Sequence, residues 1–505
     1  MLESRDSLLA DCQQLMANGK WNEARSRLEN AFATSPSDVL IAYTLASACR
    51  ISGAADRAAQ LFQAIHTALP DMAEAATGLA FSLAELNRAT EATNILRQYL
   101  VRHPEQASAY GALAEIWMKS GFFAAVTRGF KATAILAPTA DNLGNLAESI
   151  SLQRSFELAE QCYQRALAEA PGSAKLQMNY AIHLLTQGKT DEGWKYFEAR
   201  LHPDVADAPI RTLSLPRWDG NALADKHILV VSEQGLGDEI RLAAMLPELV
   251  RKARALTVEC DPRLVTLFKR SMPSVDFHAF SRIKKSGRGY YTYGWLPGDG
   301  GPECYIEIGS LPLMLGHGLT MPENVGGFLV PSITLQDEIG DKLRASAKGR
   351  PLVGLSWASS ARQFGRATNY PPPESWRRLL DLPEICLVSL QYGEAARAVK
   401  EMEEATGHMI IQLEELDLRD DLEALAALEA SLDLVLAVGN ATAALSGALG
   451  TKTLELLASP GWVPLLNDRD SFLGATHRVA QKQLGDWIYP VERVRELALA
   501  HLRKR

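Results

Sequence analysis

A repeat of about 34 residues in the first two hundred positions limits the folds open to this chain more than any other feature. Proline returns at Pro36, Pro70, Pro104, Pro138, Pro171 and Pro203. A turn position returns in the same register, at Gly19, Gly53, Asn87, Gly121, Arg154 and Gly188. Five residues after the turn, a small residue returns at Ala24, Ala58, Ala92, Val126, Ala159 and Gly193. A second position is always alanine, at Ala46, Ala80, Ala114, Ala147 and Ala181. Registers that share one period predict a stack of identical structural units.

The residue types in each repeat predict a pair of α-helices. Apolar residues follow helical spacing between turn and proline, and the turn residue ends one helix in a left-handed conformation. Small residues let the two helices approach closely, and neighbouring hairpins stack into a superhelix with a concave groove. This pattern resembles the tetratricopeptide family, so we predict a TPR array of about six hairpins over residues 1–203. Such grooves usually hold a protein or peptide partner. Asn142, Asn145 and Asn179 can bind a peptide backbone there, or simply cap helices.

Composition narrows the functional classes. A length of 505 residues predicts more than one domain. The net charge of −8 argues against a general nucleic-acid or anionic-membrane binder. Six widely spaced cysteines without a C-x-x-C pair favour a reducing compartment over a zinc site. The first residues contain no apolar leader and no long apolar run follows, so we expect a cytoplasmic protein without a membrane span.

The architecture changes after residue 203. The stretch 202–226 contains three prolines and no amphipathic face, which predicts a connecting segment over residues 204–226. Buried-strand and helix patterns then alternate over 227–335 and again over 350–490, with a terminal helix at 491–505. This order predicts an α/β region of two Rossmann-like lobes that face a cleft.

The first candidate site follows the first strand of this region. Gln234, Gly235 and Gly237 form a loop at the strand's carboxyl end, where α/β sheets bind ligands, and we assign them to the acceptor side. Asp238 lies at the start of the next helix, where a carboxylate can cap the helix or take a proton from an acceptor hydroxyl. A dinucleotide fingerprint is incomplete because it would need glycine at the position of Ile240.

The second candidate site combines three loops that follow strands of the second lobe. Hydroxyl and guanidinium groups in the first loop match diphosphate geometry, and the last loop opens a helix whose N–H groups favour anions. The donor-binding residues predicted in these loops are Trp357, Ser359, Arg362, Arg366, Gln391, Tyr392, Asn440, Ala441 and Thr442. The alternatives are a solvated loop for the arginines and simple helix capping for Asn440 and Thr442. The ten histidines show no metal-ligand spacing, so no metal is expected.

Several segments resemble a known family. LPRWDGNALADKHILVVSEQGLGDEI, VGLSWAS, LVSLQYG and SGALG are similar to bacterial tetratricopeptide proteins with a glycosyltransferase-like domain. That domain is related to lipopolysaccharide heptosyltransferases and has the GT-B fold. The layout also resembles O-GlcNAc transferase and the repeat-bearing flagellin glycosyltransferases, in which the repeats hold the protein acceptor. The resemblance implies inverting, metal-independent transfer from a nucleotide sugar, without a further cofactor.

The resemblance assigns roles residue by residue. Asp238 matches the aspartate thought to act as base, and Arg362 and Arg366 lie in the loop that holds donor phosphate. The family's later helix motif carries an acidic residue and a histidine, which are Gly439 and Ala444 here. The implied function is transfer of a sugar onto Ser or Thr of a protein acceptor, such as flagellin or another surface protein. The alternatives are a non-catalytic TPR scaffold with a degenerate transferase domain, or a transferase acting on glycan or lipid.

Overall fold

The chain forms two compact units. The computed structural model describes residues 4–205, 208–233, 235–285, 288–298, 300–316, 327–359, 369–382, 384–466, 469–470 and 472–504. Contacts group residues 4–176, together with Lys284, Lys285 and Arg288, into a first unit, and the other described residues, from Gln177 onward, into a second unit. None of the helices in these ranges is both long enough and apolar enough to cross a membrane.

Helices make up the first unit and the beginning of the second. In chain order they are α1 (Arg5–Ala17), α2 (Trp21–Thr34), α3 (Val39–Ile51), α4 (Ala55–Ala68), α5 (Ala73–Glu85), α6 (Ala89–Arg102), α7 (Ala107–Lys119), α8 (Phe123–Leu136), α9 (Ala140–Leu152), α10 (Phe156–Glu169), α11 (Ala174–Thr186) and α12 (Thr190–Phe197). They pair in order as six helical hairpins, as the 34-residue period predicts. We call α11 and α12 the last hairpin.

The turn of each hairpin explains the repeat in the sequence. The predicted turn residues, Arg154 included, have φ between 59° and 83°. Glycine adopts this left-handed conformation without a steric cost, which accounts for its return at most turns. The alanine positions are almost completely buried, from Ala24 in the first hairpin to Ala181 in the last. A side chain larger than a methyl group at these positions would separate the packed helices.

The second unit adds an α/β region. Its strands are β1 (Ile210–Arg211), β2 (His227–Val231), β3 (Ala255–Cys260), β4 (Asp276–Ala279), β5 (Ser281–Lys285), β6 (Arg288–Thr292), β7 (Cys304–Glu307), β8 (Leu352–Ser356), β9 (Cys386–Ser389), β10 (Ile410–Ile411), β11 (Leu434–Val438), β12 (Thr453–Leu457), β13 (Leu465–Leu466), β14 (Arg469–Asp470) and β15 (Thr476–Ala480). Its further α-helices are α13 (Leu236–Ala243), α14 (Leu246–Lys252), α15 (Val265–Ser271), α16 (Leu311–Met314), α17 (Ile333–Ala347), α18 (Pro373–Leu380), α19 (Ala395–Thr406), α20 (Leu422–Ala430), α21 (Ala441–Ala448) and α22 (Ile488–Leu502).

The strands form two mainly parallel sheets and one small sheet. The first parallel sheet has the order β4-β3-β2-β7. The larger sheet has the order β10-β9-β8-β11-β12-β15-β14-β13, and its last two strands are antiparallel. A three-stranded sheet, β1-β6-β5, accompanies them. The expectation of an α/β region with parallel sheets is therefore confirmed.

The segment before β2 packs against the first parallel sheet. Trp218 is 7% exposed, and its backbone N–H donates to the carbonyl oxygen of Tyr305 on β7 at 2.7 Å. The Trp218 indole donates to the carbonyl oxygen of Asn221 at 2.8 Å. Strand β1, within the same segment, pairs with β6. This segment therefore contributes structure of its own as well as connecting the two predicted regions.

Candidate functional site

The predicted donor loops lie together because β9, β8 and β11 are neighbouring parallel strands. Gln391 ties two of the loops, since its side chain donates to the Ala358 carbonyl at 2.9 Å and accepts from the Ala358 amide at 3.3 Å. Asn440 connects the third loop, which follows β11, to the end of β8, because its side-chain amide donates to Ser356 Oγ at 2.8 Å. Gln391 and Asn440 therefore shape the loops through bonds within the protein.

The start of α21 offers N–H groups to a ligand. Asn440 is the N-cap, and its Oδ1 accepts from the Ala443 amide at 3.0 Å. The first amides of a helix have no intrahelical acceptor, and they favour anions. Those amides belong to Ala441 and Thr442, two of the predicted donor-binding residues.

Helix α13 packs directly against α21. A Cβ atom added at Gly237 would lie 3.1 Å from Ala441 Cα and 3.5 Å from the Asn440 carbonyl oxygen. Only glycine allows this approach without a shift of one helix. The segment that connects β2 to α13 thus contacts the segment that connects β11 to α21. The sequence predicted that a gap separates these two segments.

A cavity of about 200 Å³ lies beside this contact. Its lining comes from α13, α21, the turn after β3, the loop after β9, and α20 with the residues just before it. The lining residues are Leu236, Ile240, Arg263, Tyr392, Leu418, Arg419, Leu422, Leu425, Ala441, Thr442 and Leu445. Ligand pockets usually measure about 300–1,000 Å³, so this one matches part of a nucleotide-sized ligand. Tyr392, Ala441 and Thr442 are the predicted donor residues that line it.

Two arginines line the cavity, and Arg263 is already paired with acidic side chains. Asp261 holds the Arg263 guanidinium through two hydrogen bonds of 2.9 Å, and Arg263 also donates to the Arg419 carbonyl at 3.0 Å. The Arg419 side chain has no ion-pair partner among the described residues, and the residue is exposed. A guanidinium group without a carboxylate partner suits a phosphate oxygen, because its N–H groups form a fixed fork.

Two hydrogen-bond donors orient Asp238, which does not line the cavity. The Gly235 amide donates to its carboxylate, and Trp462 Nε1 donates to Oδ1 at 3.2 Å. Burial raises the pKa of Asp238, while nearby Arg241 and these two donors oppose the rise. A raised pKa suits a proton acceptor near neutral pH. Both roles considered for Asp238, cap and base, are compatible with this position.

A buried ionic cluster, made of Arg241, Glu455, Asp470 and Arg478, fixes α13 to the larger sheet. Arg241 Nε donates to Asp470 at 2.8 Å, and the same guanidinium donates to Glu455. Arg478 donates to the other oxygen of Glu455 at 2.8 Å. The two arginine side chains are 5% and 7% exposed and both carboxylates are fully buried. This pairing balances charge where water is excluded.

Three polar residues of this region were not identified from the sequence. Glu239 is buried, accepts from the Asp261 amide at 2.8 Å, and has a pKa raised by burial to about 8. Arg263 and Arg419 line the cavity. Arg263 comes just after the carboxyl end of β3, a position that is itself a sequence signal. Arg419 precedes α20 within a run of charged residues, a pattern that is typical of a solvent-exposed surface.

The other predicted residues have varied surroundings. Gly235 is the exposed N-cap of α13. Trp357 is buried in a hydrophobic cluster, and Ser359 is half-buried. Glu259, near the end of β3, pairs with Arg211 at 3.2 Å. Gln234, Arg362 and Arg366 lie outside the described residues.

Two further predictions concern peptide and metal binding. Asn142 donates to the Ala137 carbonyl at 2.8 Å, so its side-chain amide stabilises its own turn. Within the described ranges, no group of three or more His, Cys, Asp or Glu side chains is arranged to hold a metal ion.

Comparison with known proteins identifies the repeats. Models described as tetratricopeptide repeat match residues 13–73, 50–116 and 153–206. Protein FlbA of Caulobacter vibrioides (strain ATCC 19089 / CIP 103742 / CB 15) is 31% identical over 438 residues, which cover 85% of this chain and 73% of FlbA.

Solved structures resemble part of the chain. A thermophilic TPR protein of Thermus thermophilus is 21% identical, with a TM-score of 0.33, and the match covers 36% of this chain and 100% of that one. PilF of Pseudomonas aeruginosa is 17% identical, with a TM-score of 0.33, and the match covers 40% and 92% of the two chains.

Proposed function

The chain belongs to the same family as protein FlbA, and from this premise and the cavity beside α13 and α21 we propose that it is a glycosyltransferase. It would move a sugar from a nucleotide-sugar donor onto Ser or Thr of a protein acceptor, within a GT-B arrangement of the two α/β sheets. The match to FlbA is longer than the second unit, so the relatives share sequence from both the repeats and the α/β region. We therefore treat the repeats and the α/β region as parts of one function.

The observation that carries this proposal is the composition of the cavity. Arg419 supplies a guanidinium group, the start of α21 supplies N–H groups, and Tyr392 supplies an aromatic ring. These groups suit the phosphates and the adjoining sugar or base of a nucleotide sugar. Leucine side chains form the rest of the lining and exclude water from the bound ligand.

Asp238 supplies the chemistry in this proposal. Its carboxylate would take the proton of the acceptor hydroxyl while the hydroxyl oxygen attacks the anomeric carbon and the nucleotide leaves with the bonding pair. The Gly235 amide and Trp462 hold the carboxylate. Tetratricopeptide repeats suggest interaction with a protein, and we assign recruitment of the acceptor to them.

Nucleotide binding is the first test. The full chain is titrated with UDP, ADP, GDP and CMP by calorimetry, and Arg419→Ala is compared with Arg397→Ala, which removes an exposed arginine of α19. We expect one nucleotide to bind and Arg419→Ala alone to weaken it roughly tenfold or more, as for loss of a charge-assisted contact. Absence of binding to all four nucleotides would count against a nucleotide-sugar enzyme.

Transfer is the second test. Candidate acceptors, flagellin among them, are incubated with the matching nucleotide sugars and examined by mass spectrometry. We expect Asp238→Asn to lower the rate by about 10²–10⁴ while nucleotide binding is retained. Asp381→Asn, at an exposed carboxylate, should leave the rate unchanged. Full activity of Asp238→Asn would exclude Asp238 as the base.

One observation favours a second candidate, a nucleotide-binding scaffold without transfer activity. Asp238 is hydrogen-bonded to Trp462 and is not part of the cavity lining. The scaffold predicts nucleotide binding that depends on Arg419, together with no transfer to any acceptor. The two tests above therefore separate the candidates.

A further inference from the structure

The contact between Trp462 and Asp238 joins two distant parts of the second unit. Trp462 lies between β12 and β13, 224 positions after Asp238 in the sequence. Its indole N–H donates to Asp238 Oδ1 at 3.2 Å. An indole nitrogen can only donate, so this bond needs an acceptor oxygen on the carboxyl group and favours its ionised form.

Trp462 is itself held by the last hairpin. Thr186, at the end of α11, donates to the carbonyl oxygen of Gly461 at 3.0 Å. Phe197 and Trp194 of α12 have ring centroids 5.8 Å and 6.1 Å from that of Trp462. Phe472 approaches Trp462 to 5.9 Å. Such ring contacts add roughly 0.5–1.5 kcal/mol each beyond burial.

Buried aromatic side chains contact the Trp462 ring, which is itself half-buried. Trp194, Phe197 and Phe472 are 3%, 1% and 8% exposed, so the aromatic group is packed on several sides. Gly461, beside Trp462, has a φ of 69°, which bends the backbone at the residue bonded to Thr186. A well-packed donor holds a carboxylate in one orientation better than a mobile one does.

We propose that Trp462 is a positioning residue for Asp238, and that the last hairpin holds it in place through Thr186, Trp194 and Phe197. The inference rests on the proposed function for its effect on catalysis, whereas the hydrogen bond can be measured without any activity. It gives the last hairpin a role beyond binding a partner. The other charged groups near Asp238 are Arg241 on its own helix and Arg478 on β15, and both stay unchanged in the test.

The first experiment compares Trp462→Phe with Trp376→Phe in the full chain. Trp376 is 1% exposed, and its indole nitrogen has no hydrogen-bond partner among the described residues. The two variants thus make the same change in ring size, but only Trp462→Phe removes a donor from Asp238. We expect Trp462→Phe to lower kcat roughly tenfold with little change in donor KM, and to move the acidic limb of the pH–rate profile to higher pH. Trp376→Phe should change neither.

A second measurement does not depend on activity. The carboxyl carbons of aspartate are labelled with ¹³C, and the Asp238 signal is identified by its loss in Asp238→Asn. We expect the titration midpoint of Asp238 to rise in Trp462→Phe and to rise less in Thr186→Val, which loosens only the loop. Thermal unfolding identifies variants that no longer fold, and Thr186→Val provides the test if Trp462→Phe is one of them.

The outcomes separate this inference from the proposed function. If Asp238→Asn is inactive but Trp462→Phe changes neither the pH–rate profile nor the titration midpoint of Asp238, the positioning role is overturned and the transferase proposal stands. An active Asp238→Asn would end the role of Asp238 as base. In that case an Asp238 midpoint that moves in Trp462→Phe still supports the positioning contact, and an unchanged midpoint removes it.

Discussion

Replacement of Arg241 by methionine tests the ionic cluster that fixes α13 to the larger sheet. Arg241 is 5% exposed and bonds to two fully buried carboxylates, those of Glu455 and Asp470. Its loss leaves Arg478 as the one cation in a cluster with two carboxylates. Removal of one partner from a buried ion pair costs about 3–5 kcal/mol, because an uncompensated charge remains buried. We expect the free energy of unfolding of the second unit to fall by this amount.

The measurement is thermal unfolding of the full chain by calorimetry. The unfolding entropy is about 2.1 cal/mol/K per residue, so a loss of 1 kcal/mol lowers the midpoint by only about 1.5 °C in a unit as large as the second one, and we expect a drop of roughly 4–8 °C. The matched control is Arg397→Met, because Arg397 pairs with Glu401 at the surface, where their side chains are 71% and 51% exposed. Exposed pairs contribute little, so the control should leave the midpoint unchanged.

A charge-balanced variant examines the cause. Arg241→Met combined with Asp470→Asn leaves one arginine and one carboxylate, and the remaining amide oxygen can still accept the Phe472 amide. We expect the double variant to recover a large part of the lost midpoint. If the double variant is less stable than Arg241→Met, uncompensated charge is not the cause of the loss. Equal drops for Arg241→Met and Arg397→Met would refute the argument from burial.

Two further predictions concern a buried carboxyl and the helical repeats. Burial raises the pKa of Glu429 well above its usual range, so folding binds a proton and stability falls as pH rises from the usual pKa of glutamate towards the raised one. Glu429→Gln should flatten the fall of the urea midpoint as pH rises above the usual pKa of glutamate, and an unchanged slope would contradict this. A Cβ atom at Gly78 would lie 2.5 Å from the buried ring of Phe62, whereas one at Gly172 would meet nothing within 4 Å. Gly78→Ala should therefore destabilise the first unit by about 1–3 kcal/mol, measured by chemical unfolding against Gly172→Ala.

The sequence by itself determined the helical array. Each hairpin contacts mainly its neighbours, so the same residue types must return at one spacing wherever the same contact is made. The positive φ at Arg154 follows from this register, because the same position is a turn in each of the other five hairpins. The strands of the α/β region could also be predicted from the sequence, because β2 and β8 are short apolar runs buried in parallel sheets.

The sequence also predicted part of the candidate site. Parallel strands bring their carboxyl ends to one edge of a sheet, so Tyr392 and Thr442 were predicted together and both line the cavity. Asp238 lies in the first turn of α13, as the sequence predicted. Its role as a base stays a prediction, because spacing along one helix does not show which groups face it.

Only the tertiary structure decided the rest. Trp462 reaches Asp238 across 224 positions, and Arg241 reaches Glu455 and Asp470 across 214 and 229 positions. Such pairs have no period and no local partner, so each member reads in the sequence as an ordinary aromatic or charged residue. Arg419 appears equally ordinary until the start of α20 brings it to the cavity. Local periodicity specifies helices and strands, whereas the packing of distant elements selects the side chains that meet.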